Sequence, residues 1–439
     1  MIPVSAKSKY AEILNYLTEQ LPMFQKQGAS AYKKDLSNTL ALCQIVGNPE
    51  RTFPTIHVAG TNGKGSTSHM LAAVLQAHGL RVGLYTSPHY KDFRERIKIN
   101  GNFIAKKFIA TFVEKYKPEF EPIQASFFEW TVAMAFDYFR HEKVDVAVIE
   151  VGMGGRLDST NVITPLVSVI TNISFDHTQF LGDTLEKIAF EKAGIIKNAV
   201  PAVIGEEQPE TTAVFENAAK EKNAPLFFAS RNFQIQKISR DADSTIFDVF
   251  DKAGKNIYKS LKISLSGDYQ AKNLGTVLQT LEVLKNRLPG WNFDENKMRI
   301  ALADIQRYTK MMGRWQIISK NPLIICDSAH NEGGLSLAME QLKLQRGTKK
   351  LHMVVGAVND KDLSKMLALM PATATYYFCK PDIPRGLETT EMQKFAKAFG
   401  LHGKTYTSVK NALRAAKRNS GPDDLIYVGG STFVVAEVI

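Results

Sequence analysis

Thr55-Ile-His-Val-Ala59, Gly60-Thr61-Asn62-Gly63-Lys64-Gly65-Ser66 and Thr67-Ser-His-Met-Leu-Ala-Ala-Val-Leu75 follow one another without a break. The first run reads as a strand and the last as a helix, so the glycine-rich run is a loop that opens onto a helix N-terminus. Glycines let backbone fold closely around a phosphate, and the first turn of a helix points N–H groups at it. Lys64 adds a positive charge for the terminal phosphates, and the Ser66 hydroxyl behind it suits Mg²⁺. The spacing departs from the strict Walker pattern, because Gly65 separates Lys64 from Ser66 and the upstream glycine is closer. An Asn62-Gly63 hairpin turn with a surface lysine is the competing reading, and the strand before and helix after weigh against it.

Outward from that loop, strand and helix patterns alternate. Apolar β-rich runs occupy 55–59, 81–86, 144–151, 167–172 and 199–204, with helical patterns at 66–78, 127–141, 184–193 and 211–222. Such alternation predicts an α/β fold with a mostly parallel sheet. Short segments at 244–249, 256–258 and 262–265 read as a smaller β element inserted late in this domain. A helical stretch at 295–306 leads to a linker at 307–312. Alternation then restarts, with strands at 323–326, 350–355, 375–378 and 425–428 and helices near 335–344, 363–369, 390–399 and 409–417. The expectation is an N-terminal P-loop-type ATPase domain over 1–307 and a smaller, Rossmann-like α/β domain over 313–439.

With 439 residues the chain is too long for one typical core. The hydrophobic share of 44% and charged share of 23% are those of a soluble globular protein. Cys43, Cys326 and Cys379 lie far apart without metal-ligand spacing, which fits a reducing cytoplasm. Residues 1–21 mix Lys7, Lys9, Glu12 and Glu19 into their apolar positions, so no signal peptide is expected, and no apolar run is long enough to span a membrane. The net charge of +11 is spread along the chain without a Lys/Arg run. It favours small polyanions, nucleotides or multiply carboxylated substrates over nucleic acid.

Ligands of open parallel sheets bind outside the carboxyl ends of the strands. Besides the loop, Glu150 ends the run Val144-Asp-Val-Ala-Val-Ile149, and His177 follows the 167–172 strand after a short turn. A carboxylate and an imidazole beside a phosphate loop suit Mg²⁺ with ATP. Taken singly, Glu150 reads more often as a charge at a strand end and His177 as a hydrogen-bonded loop residue; their shared place beside the loop favours the metal reading. Lys192 lies on the apolar stripe of Leu185, Ile188, Ala189 and Ile196. Either its amine snorkels to water, or it is desolvated and nucleophilic enough to form a carbamate with CO₂, which would turn a cation into an oxygen ligand.

These motifs, in this order, resemble the folylpolyglutamate synthase/dihydrofolate synthase family, the folate branch of the Mur ligase superfamily. The resemblance rests on 57–66, Thr86-Ser-Pro-His89, Glu95-Arg-Ile97, Glu150-Val-Gly-Met-Gly-Gly-Arg-Leu-Asp158 with Thr160-Asn161, Asp176-His177, Leu181-Gly182 and Ile188-Ala-Phe-Glu-Lys-Ala-Gly-Ile195. It continues through Gly313-Arg314, Asp327-Ser-Ala-His-Asn331 and Asp360-Lys-Asp362. It implies a cytoplasmic, mostly monomeric ATP-dependent ligase that adds L-glutamate to dihydropteroate, to tetrahydrofolate and its glutamylated forms, or to both, through an acyl phosphate. It further implies two Mg²⁺ ions bound by Ser66, Glu150 and His177, Lys64 on the terminal phosphates and a carbamylated Lys192. Gly60, Thr61, Asn62, Gly63 and Gly65 would complete the phosphate loop, with Asn273 on the adenine side. Arg314, Asp327 and His330 would close over ATP and the incoming glutamate, and residues 86–89 would lie near the pterin or the ATP pocket.

Tyr269 stands where a histidine is common, Ser328 and Glu332 replace the usual Gly and Pro, and the residues flanking Gly430-Ser431 differ; these departures bear on substrate preference. Two other readings stay open. A ligase acting on a cell-wall precursor usually carries a further N-terminal domain, and only about 50 residues precede the loop here. An ATP-binding regulatory protein would not need the Glu150, His177 and Lys192 series.

Overall fold

The computed structural model describes residues 6–23, 35–241, 244–347, 349–359 and 363–439. Asp360-Lys-Asp362 therefore lies outside the described residues. Two units are present: Met1–Ile173, Thr178–Gln234 and Lys272–Thr309 in the first, and Ser174–His177, Ile235–Ala271 and Lys310–Ile439 in the second.

The first unit is built on an eight-stranded sheet. Its strands are β1 (Thr55–Ala59), β2 (Val82–Tyr85), β3 (Ile97–Ile99), β4 (Asn102–Phe103), β5 (Val146–Glu150), β6 (Val167–Ile170), β7 (Ala202–Ile204) and β8 (Leu226–Phe228). Their spatial order is β4-β3-β2-β5-β1-β6-β7-β8. From β2 to β8 every pairing is parallel, whereas β3 and β4 pair antiparallel at one edge. Every residue of β1, β2, β5, β6 and β7 is buried, which is why these strands read as unbroken apolar runs and not as alternation. One core cluster gathers residues of the Ser37–Val46, Lys106–Phe120 and Phe127–His141 helices, including Phe112, Trp130 and Phe136. A second gathers Ile188, Ile195 and Phe215 with Ala59 and Ile170. The Phe127–His141 helix begins on a capping box, with Ser126 and Glu129 each binding the other's backbone N–H.

The second unit holds a six-stranded sheet of β12 (Gln316–Lys320), β13 (Leu323–Asp327), β14 (Leu351–Val355), β15 (Thr375–Cys379), β16 (Gly403–Tyr406) and β17 (Leu425–Gly429), in the order β12-β13-β17-β14-β15-β16. All pairings are parallel except that of β12 with β13. Its core includes Trp315, Ile325, Leu335, Met353, Phe378 and Tyr427. A separate antiparallel sheet of β9 (Phe233–Arg240), β10 (Thr245–Asp251) and β11 (Asn256–Ile263) lies mostly in this unit. The two short segments expected at 256–258 and 262–265 are thus one strand. Ser260 at φ 50° and register shifts opposite it break the two-residue alternation there, so that the buried residues are Tyr258, Leu261 and Ile263.

Candidate active site

β5, β1 and β6 are adjacent, and at their carboxyl ends they deliver Glu150, Gly60 and Thr171 side by side. The loop after β1 is stitched to the end of β6. Thr61 N–H donates to the Asn172 carbonyl at 2.9 Å, Asn62 N–H donates to Asn172 Oδ1 at 2.9 Å, and the Thr171 hydroxyl donates to the Asn62 carbonyl at 2.5 Å. Gly60 has φ 141°, and a Cβ there would stand 1.9 Å from Thr171 Oγ1. Gly63 has φ 84°, and a Cβ there would stand 2.2 Å from Asn273 Oδ1. Both positions therefore admit only glycine, and Asn273 is packed onto the glycine-rich loop at the point where the Lys64–Ala77 helix begins.

Two lysine amines converge on this loop. Lys64 Nζ donates to the carbonyls of Gly60 at 2.9 Å and Thr61 at 3.1 Å. Lys192, buried in the Leu185–Ala193 helix with 3% of its surface exposed, donates to the same Gly60 carbonyl at 3.0 Å. Snorkelling is thereby excluded: the amine points inward, at the loop. The 151–158 segment is tied to that helix by Arg156 N–H on the Glu191 carbonyl at 2.7 Å. It is held internally by Asp158, which accepts from Met153 N–H at 2.8 Å and from Thr160 N–H at 3.0 Å.

Ser66 and Glu150 are both buried, with Glu150 Oε2 accepting from Ser87 N–H at 3.2 Å. A serine hydroxyl and a strand-end carboxylate are hard oxygen donors, and Mg²⁺ commonly takes one or two such groups together with substrate phosphates and water. The donor set thus fits Mg²⁺. Among the described residues no group of three His, Cys, Asp or Glu side chains is assembled for a metal.

In the second unit, Asp327 ends β13 and accepts from Trp315 N–H and Ala329 N–H at 2.8 and 2.9 Å. Burial raises its carboxyl pKa, opposed by the Ala329 N–H and the Arg314 charge. The Arg314 guanidinium donates to the Ser328 hydroxyl, which itself donates to the Gly313 carbonyl at 3.0 Å. The serine found at 328 therefore holds the arginine. Tyr269 lies beside Asp327, and its phenol pKa is raised by burial and by that carboxylate.

His177, at φ 50°, belongs with this unit. Its N–H and that of the Asn331 amide donate to Asp176, at 3.0 Å each, and His330 Nε2 lies 3.7 Å from the same carboxylate. His330 Nδ1–H donates to the Ser328 carbonyl at 2.9 Å, and Asn331 caps the Glu332–Arg346 helix through Gly334 N–H. Asp176 is the organising group here, which the sequence marks only as the motif neighbour of His177 and to which it assigns no role. Of the expected site residues, Gly60 to Ser66, Glu150, Lys192 and Asn273 come together in the first unit. Arg314, Asp327 and His330, with His177, belong to the second.

The chain is similar to known proteins over nearly its whole length. The chain matches the Mur ligase middle domain over residues 58–281 and the Mur ligase glutamate ligase domain over residues 313–432. It is 35% identical to a folylpolyglutamate synthase of Lacticaseibacillus casei over 98% of this chain and 97% of that one. It is 31% identical to a dihydrofolate synthase/folylpolyglutamate synthase of Bacillus subtilis over 92% and 94%. A solved structure of Escherichia coli FolC in complex with DHPP and ADP superposes with a TM-score of 0.84 at 29% identity, covering 99% of this chain and 98% of that one. A Mycobacterium tuberculosis folylpolyglutamate synthase complexed with ADP gives 0.86 at 28%, covering 98% and 97%.

A Mur ligase middle domain followed by a Mur glutamate ligase domain makes the chain an ATP-dependent ligase of the Mur type. The chain belongs to the folylpolyglutamate synthase/dihydrofolate synthase family. ATP-dependent attachment of glutamate to folates is the activity of that family.

Proposed function

We propose that this chain, acting as a monomer in the cytoplasm, joins L-glutamate to dihydropteroate, to the glutamate tail of reduced folates, or to both. A carboxylate is a poor electrophile. Its oxygen attacks the γ-phosphorus of ATP, releasing ADP and forming an acyl phosphate. The glutamate amine then attacks the acyl carbon and loses a proton, and phosphate leaves with the bridging oxygen.

Such transfers depend on positioning and charge stabilisation. The loop N–H groups and Lys64 would hold the phosphates, Asn273 the adenine side, and Arg314 would supply charge in the second unit. Asp327 and His330 would serve the glutamate. Ser66 and Glu150 would be metal ligands of the first unit and His177 of the second, and the two Mg²⁺ ions supply Lewis-acid neutralisation of phosphate charge when bound.

One observation carries this reading: two lysines donate to a single carbonyl. Their nitrogens lie 2.9 and 3.0 Å from the Gly60 oxygen, hence within about 6 Å of each other. At an effective dielectric of about 20, two cations so placed repel by about 3 kcal/mol. The arrangement suits an anionic ligand and a Lys192 converted to a carbamate. In that conversion the ammonium first loses one proton, the freed Nζ lone pair attacks the carbon of CO₂, and a second proton leaves the nitrogen, so a cation becomes an anion with two oxygen donors.

The test is ADP release with Mg²⁺ and L-glutamate, comparing dihydropteroate with tetrahydrofolate. Release that requires both an acid and glutamate supports the reading, and the productive acid identifies the branch served. ATP turnover indifferent to both would overturn it.

A further inference from the structure

The segment from Thr86 to Arg96 leaves β2 and returns as β3, and its backbone is pinned at two points. Ser87 N–H is held by Glu150, and the N–H groups of Tyr90, Lys91 and Asp92 converge on the buried Glu95 carboxylate at 2.6, 2.9 and 2.8 Å. His89 stands between the two points.

Its ring is set by Arg96, a buried arginine whose guanidinium lies 5.1 Å above the Phe127 ring and whose Nε–H donates to His89 Nδ1 at 2.7 Å. An arginine offers only donors, so His89 Nδ1 must present a lone pair, and the proton of the neutral ring sits on Nε2. Burial, then the Arg96 charge, push the imidazole pKa down to about 3, with Asp92 opposing, so the ring is neutral throughout the working range. Phe93 packs edge-on against it at 6.3 Å, and Phe93 in turn meets Phe127 at 5.7 Å. Among the described residues nothing accepts from Nε2–H.

A fixed, neutral donor framed by aromatic rings does not suit a phosphate or a free carboxylate, which draw charged donors. It suits a planar, uncharged acceptor. Resting on the ligase reading above, we propose that His89 Nε2–H donates a hydrogen bond to a carbonyl oxygen or ring nitrogen in the aromatic part of the acid substrate, with Arg96 as the positioning residue that fixes the tautomer.

The test is calorimetric binding of dihydropteroate and of ADP to the full chain. His89→Phe keeps a flat ring and removes the donor, and His89→Gln restores a neutral N–H near the Nε2 position. The expected result is an approximately tenfold loss of dihydropteroate affinity in His89→Phe. His89→Gln should lie within about threefold of the unmodified chain, and ADP affinity should be unchanged in both. Equal dihydropteroate affinity in His89→Phe and the unmodified chain would overturn the contact while leaving the ligase reading intact. Loss of acid and ADP binding together in both variants would also overturn it, since that marks a structural role. An unmodified chain that binds ADP but neither dihydropteroate nor tetrahydrofolate would overturn both readings.

Discussion

Replacing Lys192 by methionine removes one of the two amines that share the Gly60 carbonyl while keeping an unbranched side chain of similar length. As an ammonium, Lys192 would repel Lys64 by about 3 kcal/mol, and its hydrogen bond to the Gly60 carbonyl would return about 1.5–3 kcal/mol. These effects oppose each other, and the midpoint of Lys192→Met in CO₂-free buffer is the baseline against which the bicarbonate response is read. As a carbamate the sign reverses. An anion beside Lys64 is attractive by a similar amount, so bicarbonate should raise the melting midpoint of the unmodified chain by several degrees. Lys192→Met should not respond to bicarbonate at all. Differential scanning fluorimetry of both proteins, with and without bicarbonate, reads this double difference, and a ¹³C carbamate signal should appear only in the unmodified chain. Equal responses of the two proteins to bicarbonate would refute the argument, as would wild-type turnover by Lys192→Met.

Lys64→Ala should lower turnover by on the order of 10²–10³ while leaving the melting midpoint near that of the parent, as checked by ADP release and circular dichroism. Gly63→Ala forces an L-residue to φ 84° and drives its Cβ onto Asn273. The conformational cost alone, about 1–2 kcal/mol, should weaken ADP binding roughly tenfold, and an unchanged calorimetric affinity would contradict the glycine assignment. His57 is fully buried on β1, bonds Thr160 at 2.9 Å, and has its pKa lowered to about 3 by burial and then by the Lys197 charge. Its folded pKa lies below the unfolded value, so its contribution is intact above about pH 6.5 and is lost as pH falls toward 3. His57→Gln should therefore flatten the dependence of unfolding free energy on pH in that window by about 1.4 kcal/mol per pH unit, measured by urea titration.

The fully buried central strands were legible because both of their faces are covered: β1 falls on the expected 55–59, and the Phe127–His141 helix on its expected bounds. Edge strands were not legible. β12 and β16 are polar and half-exposed, and gain their identity only from a neighbouring strand. The β3–β4 hairpin carried a readable signal that was passed over, the Asn100-Gly101 pair, whose residues adopt φ 47° and 74° as a two-residue turn requires. The Lys106–Phe120 helix was obscured by Pro118 near its end.

At the site, the loop and Lys192 could be read from local pattern, because glycine spacing and a lysine on an apolar stripe are sequence-local facts. Thr171, Asn172 and Asp176 could not. Asn172 acts on a backbone N–H 110 positions away, and Asp176 on an amide 155 positions away. Such partnerships exist only once the sheet and the second unit have formed.

In the proposed reaction an acid is activated by ATP before glutamate attacks it. The most direct measurement uses dihydropteroate or tetrahydrofolate labelled with ¹⁸O in the reacting carboxylate, together with Mg·ATP and L-glutamate. An acyl-phosphate route requires one carboxylate oxygen to leave with phosphorus, so the released inorganic phosphate should carry one ¹⁸O per amide formed. Unlabelled phosphate released alongside ADP would contradict it, because the ATP would then have been hydrolysed by water without activating an acid.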